Sequence, residues 1–547
     1  MVIRVPVLFG LIIVTGGAAV AETYVVQPDG SGDFPTIQAA IDAAVDGDVI
    51  ELANGTFTGD GNRDIDFEGR AILLRSASED PDSCIIDCAG SETDHHRAFY
   101  IHTSEDSSCI ISSITMMGGY ILHGGAVKSE EGSPTFTNCV FRNNTALDDG
   151  GAVRCNGESS PTFWGCRFVN NESGAHGGGV MCISGTTPAF HGCEFRVNLA
   201  SGYGGGMYLS VPSAIIEDCT WIENTSYING GGLCFWEGQL MLTHGEIRGN
   251  ACQGSGGGLC LKDCHAIVNH SLLLGNLASG AGGGLHAEGD ATVYVSNCTL
   301  VDNWTNAGGG GISAACCSLE VAECTIVTNF SRYGGGIRFG SGVLSPIVRN
   351  AIIAFNLDGP GISCGLLGTP ALSCCDIYGN EGGDWVGFIA SQHGINGNFS
   401  ADPYFCDMDN DDYHLWNYSP CNQAACGIIG AWPVGCWDPQ LVEDSSRDSP
   451  SSAGLRLASN TPNPFRTSTR ISYSTPATLD NGPVLLTIHD ASGRLVRTLV
   501  DTPQSPGIHE IAWNGASEAG RAVAGGMYFL QLRQNGQTEA RRLLVVR

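Results

Sequence analysis

The sequence from residue 136 to residue 171 reads FTNCVFRNNTALDDGGAVRCNGESSPTFWGCRFVNN and contains two copies of one pattern. The pattern is apolar-x-x-Cys-x-apolar-x-x-Asn. Its asparagine recurs every 24–27 residues through the middle of the chain, at Asn144, Asn171, Asn198, Asn224, Asn250, Asn276, Asn303, Asn329, Asn356 and Asn380. A fixed period of this length indicates a solenoid, in which each repeat forms one coil stacked on the previous coil.

A second pattern lies between successive copies of the first. A pair or triplet of glycines precedes an apolar-x-apolar segment, as at Val153/Cys155 and Leu233/Phe235. Alternating apolar positions are typical of short strands with one buried face. A leucine-rich repeat also fits the first pattern, but its other half is helical, and glycines such as those at 204–206 cost about 1 kcal/mol each in a helix. The sequence therefore predicts a right-handed parallel β-helix with three short strands per coil.

Stacking in register places equivalent side chains on top of one another. We expect the asparagines to be buried turn residues whose amides hydrogen-bond along the stack. Cysteine, which behaves as a small apolar residue when buried, occupies one inward position, at Cys139, Cys166, Cys193, Cys219, Cys298, Cys324 and Cys375. Better candidates for disulfides cluster near the end of the solenoid, at Cys406, Cys421, Cys426 and Cys436.

The composition limits the classes of partner. The chain has 547 residues and a formal charge of −30, which argues against a nucleic-acid partner because so acidic a surface repels phosphate backbones. Residues 1–21 read as a signal peptide, with Arg4 before an apolar run and Ala19-Val20-Ala21 at its end. That run is too short to cross a bilayer, so we expect an exported protein without a membrane span.

The beginning of the chain carries a resemblance to a known family. Residues 24–44 read YVVQPDGSGDFPTIQAAIDAA, and Thr36 predicts the start of a helix that ends near Gly47 and plugs the open end of the solenoid. Residues 24–57 resemble the opening of pectin-lyase-like β-helix proteins, and residues 402–432 resemble their closing coil. The repeats also resemble those of polymorphic outer-membrane proteins, which have adhesive roles. These resemblances imply a β-helix over residues 22–437 but no particular activity.

The end of the chain predicts a different domain. A polar linker, residues 438–454, leads to alternating apolar runs that predict a small immunoglobulin-like β-sandwich over residues 455–547, so the whole chain is all-β. Its landmarks are PNPF at 462–465, IHDASGR at 488–494, GGMYF at 525–529 and RRLLVV at 541–546. They resemble the type IX secretion sorting domain and the related immunoglobulin-like domain of flagellar hook-assembly proteins. The resemblance implies a bacterial protein, secreted or at the cell surface, with the type IX secretion machinery as a partner.

Polar residues in register on one face of the β-helix are the candidates for catalysis. His123, Asp149 and His176 precede the glycines of consecutive coils, and Lys128 and Arg154 lie outward on the strands that follow. An acid, a base and a cation in one patch can abstract a proton from an acidic sugar or orient a glycosidic bond. The alternative interpretation is that all five are solvated turn residues.

A carboxylate triplet near the end of the solenoid suggests a metal ion. Asp407, Asp409 and Asp411 fit the start of a calcium-binding loop, but the template then needs glycine and glutamate where this chain has Asp412 and Tyr418. The alternatives are a partial calcium site and a plain acidic loop. Calcium is the only cofactor that the sequence suggests.

Aromatic side chains on the same face suggest a groove that binds a polysaccharide or a cell-surface glycan, through Tyr203, Tyr208, Trp236 and Tyr333. The chain lacks the paired aspartates and Gly-His-Gly of polygalacturonases and the Arg-x-Pro-x-x-Arg of pectate lyases. We therefore expect a noncatalytic glycan-binding or adhesive scaffold rather than an enzyme. A polysaccharide lyase or glycoside hydrolase is the main alternative, and a purely structural envelope component is the third.

Overall fold

The computed structural model describes residues 21–365, 368–437, 455–457, 465, 468–475, 483–490, 494–505, 507–524, 526–535 and 537–545. The chain divides into two compact units, one ending at residue 438 and the other beginning at residue 439. Residues 1–20, which hold nearly all of the predicted signal peptide, and the predicted linker at 438–454 lie outside the described residues.

The first unit is a parallel β-helix in which strands stack in register on their counterparts one coil away. The stacked strands form four rows, represented in one coil by Val127–Glu130 in row 1, Thr135–Thr137 in row 2, Val140–Arg142 in row 3 and Thr145–Ala146 in row 4. Pairing between coils is parallel in every row. The two-residue strands of row 4 add to the three strands per coil that the sequence predicts.

The strands have the following bounds. Row 1 comprises Phe99–Ile101, Val127–Glu130, Val153–Asn156, Val180–Ile183, Met207–Ser210, Leu285–Glu288, Ile312–Ala315, Ile337–Phe339 and Ile362–Cys364. Row 2 comprises Thr23–Val26, Val49–Leu52, Leu73–Ser76, Ile110–Ser112, Thr135–Thr137, Thr162–Trp164, Ala189–His191, Ser213–Glu217, Thr292–Ser296, Ser318–Ala322, Ile347–Arg349 and Ala371–Ser373. Two longer strands run through both rows, Leu233–Thr243 and Leu259–Asn269.

The other two rows are built from shorter strands. Row 3 comprises Gly55–Phe57, Cys84–Asp87, Thr115–Met117, Val140–Arg142, Arg167–Val169, Glu194–Arg196, Thr220–Ile222, Glu246–Arg248, Leu272–Leu274, Thr299–Val301, Thr325–Val327, Ile352–Ala354 and Asp376–Tyr378. Row 4 comprises Tyr120–Ile121, Thr145–Ala146, Glu172–Ser173, Leu199–Ala200, Thr225–Ser226, Ala251–Cys252, Leu277–Ala278 and Trp304–Thr305.

Like side chains stack along the core, as the repeat predicts. The rings of Phe141, Phe168 and Phe195 are fully buried and nearly parallel, with successive centroids 4.7 Å apart. Phe163 and Phe190 stack in the same way, 4.8 Å apart. Such aromatic pairs contribute roughly 0.5–1.5 kcal/mol each beyond the burial of apolar area. The stacking therefore favours this register over any shifted one.

The asparagines form a continuous buried ladder. Nδ2 of Asn224 donates to Oδ1 of Asn250 and to the main-chain oxygen of Phe195, both at 2.9 Å. Oδ1 of Asn224 accepts from both the side chain and the main-chain N–H of Asn198. The amide-to-amide bond repeats through all ten asparagines of the predicted ladder. Each amide thus satisfies turn backbone groups that burial would leave unpaired.

The glycine pairs are required by close packing between coils. A Cβ on Gly178 would lie 2.2 Å from the main-chain oxygen of Gly205, a contact that no side chain tolerates. The preceding Gly177 has φ +65°, in the left-handed region that favours glycine. The helix at the open end also follows its sequence signals. It spans Ile37–Ala43, and the Thr36 hydroxyl caps it by accepting from the N–H of Ala39.

Cysteines divide into buried thiols and two disulfides. The seven cysteines of the inward ladder are free and buried, as predicted. Disulfides join Cys406 to Cys436 and Cys374 to Cys426. Cys421 is free and fully buried, so its prediction as a disulfide partner was wrong. Cys374 takes its place because it occupies a left-handed turn position with φ 54°, next to an inward cysteine of the ladder.

The end of the first unit folds back over the outer face of row 3. We call residues 399–437 the covering segment; it contains Phe405–Asp407, Asp412–Trp416, Val434–Cys436 and the 3₁₀ turn Met408–Asn410, and a 3₁₀ helix, Gly387–Gln392, precedes it. Its Phe405, Tyr413 and Leu415 bury an apolar strip of row 3 made of Val301, Val327, Ile352 and Ala354. Outward positions of row 3 in earlier coils carry charged side chains instead, including Arg142, Arg167, Glu194 and Arg248. The covering segment therefore lies where the outward row 3 residues become apolar.

The second unit is a small antiparallel β-sandwich. Arg456–Leu457, Thr469–Thr475 and Gly507–Trp513 form one sheet, and Pro483–Asp490, Leu495–Pro503, Gly526–Gln534 and Gln537–Val545 form the other. Its buried core includes Ile471, Leu486, Trp513 and Leu530. The Trp513 indole N–H donates to the main-chain oxygen of Ala516 at 2.9 Å, which satisfies its buried polar group.

Candidate functional site

Two sets of side chains make up the candidate site. The turn row comprises the residues that precede the glycine turns of consecutive coils: His123, Asp149, His176, Tyr203 and Asn229. The outward row comprises row 1 side chains on the side away from the core: Lys128, Arg154, Met181, Tyr208, Cys234, Cys260 and His286. Main-chain pairing places Arg154 between Lys128 and Met181, and Met181 beside Tyr208. Both sets therefore run along the axis of the β-helix.

Much of the outward row is buried, although the sequence suggested a solvated surface. An apolar cluster outside the main core is only 1–8% exposed and consists of Met181, Tyr208, Cys234 and Cys260. Tyr203 and Trp236 pack against this cluster and are themselves partly buried. Burial raises the pKa of the Tyr208 phenol. The cluster therefore forms a foundation on which the more exposed aromatic rings rest.

An imidazole and two carboxylates converge at the first coils of the turn row. Nδ1 of His123 lies 3.7 Å from Oδ2 of Asp148 and is buried without a hydrogen-bond partner. Burial lowers the pKa of His123, and the positive charge of Arg154 lowers it further. Burial raises the pKa of Asp149, and the neighbouring carboxylate of Asp148 adds to that rise. Asp148 was not among the residues that the sequence singled out, although it is adjacent to Asp149.

His176 and Asp149 are joined through the main chain rather than side chain to side chain. Oδ1 of Asp149 accepts from the N–H of His176 at 3.3 Å, and Nδ1 of His176 accepts from the N–H of Tyr203 at 3.1 Å. Nδ1 therefore acts as an acceptor, which leaves Nε2 as the ring nitrogen that carries a proton. Nε of Arg154 lies 4.0 Å from Oδ2 of Asp149 and makes no hydrogen bond.

Lys128 is held by other partners than those predicted. Its Nζ lies 2.8 Å from Oε1 of Glu130 and 5.2 Å from the ring centroid of Tyr100. The Tyr100 hydroxyl also donates to Glu130, whose carboxylate therefore serves both groups. Glu130 is two residues along the same strand, so both side chains lie on one face. Glu130 therefore partly neutralises the charge of Lys128 on the side of the site near His123.

An open groove of about 630 Å³ lies next to the turn row. Its lining includes His176, Tyr208, Ser210 and Glu237. The ring of His176 lies 5.1 Å from Tyr203 and 5.0 Å from Tyr208, measured between centroids. Aromatic surface and a few polar groups thus meet in one concave region, which is the usual composition of a small-molecule site.

Trp236 extends the aromatic surface beyond the groove. Its ring lies 5.7 Å from that of Tyr203 at 76°, so that the two rings form a corner. Nζ of Lys262 sits 4.3 Å above the Trp236 ring, within the range of a cation–π contact. Three of the four aromatic residues predicted to bind glycan, Tyr203, Tyr208 and Trp236, therefore lie together.

Tyr333 lies apart from the other predicted aromatics. It occupies the turn-row position five coils beyond Tyr203, which corresponds to roughly 24 Å along the axis at about 4.8 Å per coil. Its ring contacts the guanidinium groups of Arg332 and Arg338. Equal phase within a repeat places residues on one line but does not bring distant coils together. The structure therefore excludes Tyr333 from the groove.

The carboxylates predicted to bind calcium are partly engaged by the protein. Oδ2 of Asp407 accepts from the Asn410 side chain at 2.8 Å, and Asp411 has φ 57° at the end of the 3₁₀ turn. Burial raises the pKa of the Tyr413 phenol, and the negative charge of Asp411 adds to that rise. The side chain of Asp409 lies outside the described residues. The calcium site remains a prediction.

Comparisons with known proteins support both folds. Residues 72–239 match the family described as right handed beta helix region, and residues 465–537 match the FlgD Ig-like domain. The chain thus contains a right-handed parallel β-helix and an immunoglobulin-like domain, as the sequence predicts. No curated protein matches the chain. Within the part of the chain that the structure describes, no helix has the length and apolar character needed to cross a membrane.

One similar solved structure is that of PorZ, an essential bacterial surface component of the type-IX secretion system of Porphyromonas gingivalis. It is 21% identical over 19% of this chain and 13% of its own length, with a TM-score of 0.13. The aligned part is thus a small fraction of either protein, and it carries no argument about the function of this chain.

Proposed function

We propose that this protein is an exported bacterial scaffold, secreted or held at the cell surface, that binds a glycan in the groove beside the turn row. The observation that carries the proposal is the cluster of Tyr203, Tyr208, Trp236 and His176 rings, of which His176 and Tyr208 line the groove and the other two lie beside it. The groove volume of about 630 Å³ falls within the range of about 300–1,000 Å³ that is typical of ligand sites.

The groove and the aromatic surface beside it offer the two kinds of contact that a sugar requires. Tyr203 and Trp236 offer partly buried aromatic faces, against which the C–H face of a pyranose ring can pack. Ser210, Glu237 and Nε2–H of His176 offer donors and acceptors for hydroxyl groups at the groove lining. Because the rings rest on a buried cluster, they are held in position before a ligand arrives, which reduces the entropic cost of binding.

Two features of the chain support the proposal of export. The match of residues 465–537 to the FlgD Ig-like domain supports an immunoglobulin-like C-terminal domain, the fold that the resemblance to type IX secretion sorting domains implies. The predicted signal peptide supplies the first step of the route. In this proposal the β-helix is the cargo, the C-terminal domain addresses it to the secretion machinery, and the bound glycan determines where the protein acts.

Affinity electrophoresis tests this proposal. It measures how strongly each of a panel of acidic and neutral polysaccharides retains the full chain. We expect Trp236→Ala to weaken retention by about 10-fold or more, since an aromatic contact of about 1.5 kcal/mol or more is lost. Glu237→Gln, which keeps the size of the side chain, should weaken binding less. Tyr333→Ala and Trp164→Ala are the matched controls, because both remove exposed aromatic rings elsewhere on the β-helix. Equal retention of all four variants, or no retention of the unmodified chain, would contradict the proposal.

Catalysis on a polysaccharide is the second candidate function. It is favoured by the opposite pKa shifts of neighbouring groups, with Asp149 raised and His123 lowered. These shifts favour a neutral imidazole, which can act as a base, and a protonated carboxyl, which can act as an acid. The same panel separates the two functions, because an enzyme shortens the polysaccharide and a scaffold does not. If the protein cleaves a polysaccharide and His123→Ala or Asp149→Ala abolishes the cleavage, the protein is an enzyme and not a noncatalytic scaffold.

A further inference from the structure

The convergence of His123, Asp148 and Asp149 is unlike the other charged contacts of the β-helix. One ligand atom from each residue can be chosen so that the three lie within 4.8 Å of one another, the only such group of histidine, cysteine and acidic residues among the described part of the chain. The three residues come from two neighbouring coils, so the register of the β-helix holds them together.

The spacing of these atoms leaves a gap that a hydrogen bond does not fill. Nδ1 of His123 and Oδ2 of Asp148 are 3.7 Å apart, too far for a hydrogen bond. Bonds from a zinc ion to nitrogen and oxygen are about 2.0–2.2 Å long, so a tetrahedral ion holds two ligand atoms about 3.4 Å apart. The three ligand atoms, which lie within 4.8 Å of one another, reach that spacing with side-chain movements of up to roughly 1.4 Å.

The chemical state of the histidine also suits a metal ion. Its Nδ1 is buried and has no hydrogen-bond partner, although buried ring nitrogens are nearly always paired. A ring nitrogen without a hydrogen-bond partner is free to act as a metal ligand. Asp148 keeps a half-exposed side chain, which leaves an open path from solvent to the site.

We propose that His123, Asp148 and Asp149 form a binding site for a divalent transition-metal ion of the Zn²⁺ type. One imidazole and two carboxylates supply three protein ligands, and water fills the remaining position, as in open zinc sites. A mixed nitrogen and oxygen set favours zinc over calcium, which takes oxygen ligands only. The site adjoins the aromatic groove, but binding of the ion does not depend on the glycan proposal.

Arg154 provides a sharp test, because it opposes a cation at this site. Its Nε lies 4.0 Å from Oδ2 of Asp149, so its charge partly neutralises one of the ligands and repels an incoming ion. Replacing Arg154 with methionine removes that charge and keeps much of the length of the side chain. A genuine site should therefore bind zinc more tightly in this variant, whereas a loss of structure would weaken binding.

The measurement is isothermal titration of the tag-free full chain with zinc chloride after removal of metal by chelator. All variants carry Cys316→Ser, because Cys316 is the exposed free cysteine of the chain and a thiol would bind zinc by itself. We expect one strong zinc site per chain. We expect Asp148→Asn and His123→Gln each to weaken it by at least about 10-fold, and Arg154→Met to tighten it by about 3-fold or more.

His244→Ala is the matched control. Its Nδ1 lies 3.6 Å from Oδ1 of Asp218, which gives a similar histidine–carboxylate pair on neighbouring coils without a second carboxylate. This variant should bind zinc as the unmodified chain does. Absence of zinc binding by the unmodified chain would overturn the proposal, as would affinities of Asp148→Asn and His123→Gln equal to that of the unmodified chain. If His244→Ala abolishes binding instead, the ion lies at the other pair and the assignment is wrong.

Discussion

Each ladder asparagine holds two neighbouring coils together through one side chain. Asn224 donates to Asn250 and Phe195 and accepts from Asn198, and all of these groups are buried. Asn224→Ala leaves several buried main-chain and amide groups without partners, and each such group costs about 1–3 kcal/mol. We expect the free energy of unfolding of this variant, measured by urea denaturation, to be lower than that of the unmodified chain by about 3 kcal/mol or more.

The control for that prediction is Gln253→Ala. Gln253 is exposed, and its main-chain N–H, which the substitution keeps, donates to the main-chain oxygen of Ser226. This change should alter the free energy of unfolding by no more than about 0.5 kcal/mol. If the two variants were equally stable, the ladder would not stabilise the coils and the physical basis of the repeat would be wrong.

At the residue scale, the sequence predicted positions better than environments. The period alone placed His123, Asp149 and His176 on consecutive coils. It did not show that Tyr208 is buried, because coverage depends on side chains such as Trp236 that lie outside the repeat pattern. Nor did the repeat reveal the role of Asp148, since an acidic residue in a turn has no periodic signature.

The covering segment is the element in which pH acts most directly on stability. Asp376 is fully buried beneath it, where Oδ1 accepts from the N–H of Ala401 at 3.0 Å and Oδ2 lies 3.1 Å from the thiol of Cys421. Burial raises the pKa of Asp376 to about 7 from its usual 3.8, despite these hydrogen bonds, which act in the opposite direction. The folded carboxyl thus holds its proton more tightly than the unfolded one.

The sign of the pH dependence follows from that difference. The contribution of Asp376 to stability is fully present below about pH 4, the unfolded pKa, and is lost as the pH rises to about 7, with a limit of about 4 kcal/mol. Asp376→Asn removes this loss. We expect the variant to have a higher urea midpoint than the unmodified chain at pH 8, and the difference to shrink at pH 4.

Asp290→Asn is the control for the pH prediction, because Asp290 is exposed. Its difference from the unmodified chain should stay within about 0.5 kcal/mol at both pH values. If Asp376→Asn lowered stability at pH 8, the carboxylate would be stabilised by its partners, and burial would not dominate its titration.

At the element scale, the strands followed from local patterns and the covering segment did not. Alternating apolar residues and glycine pairs predicted rows 1 to 3, whereas row 4 was missed because two residues give no alternation. The apolar outward residues Val301, Val327 and Ile352 were the available signal for a covering segment. A single sequence does not say which distant segment covers such a strip, so neither the fold-back nor the Cys374–Cys426 disulfide could be derived.

At the scale of the whole molecule, the constant phase of the coils determines which side chains become neighbours. Because every coil repeats the phase of the one before it, a surface side chain acquires a neighbour of the same phase about 4.8 Å away. That rule produces the buried ladders, and it also aligns Tyr203 with His176 at the groove. This rule is sufficient to predict the architecture from the sequence. The identity of the ligand depends instead on the few residues that break the repeat, such as Trp236.

The most direct test is a crystal structure of the chain with the oligosaccharide that binds best in the panel. We expect a sugar ring packed against Trp236 or Tyr203, with its hydroxyl groups hydrogen-bonded to His176, Ser210 or Glu237. A sugar bound elsewhere on the β-helix or on the C-terminal domain, with the groove occupied only by water, would contradict the account.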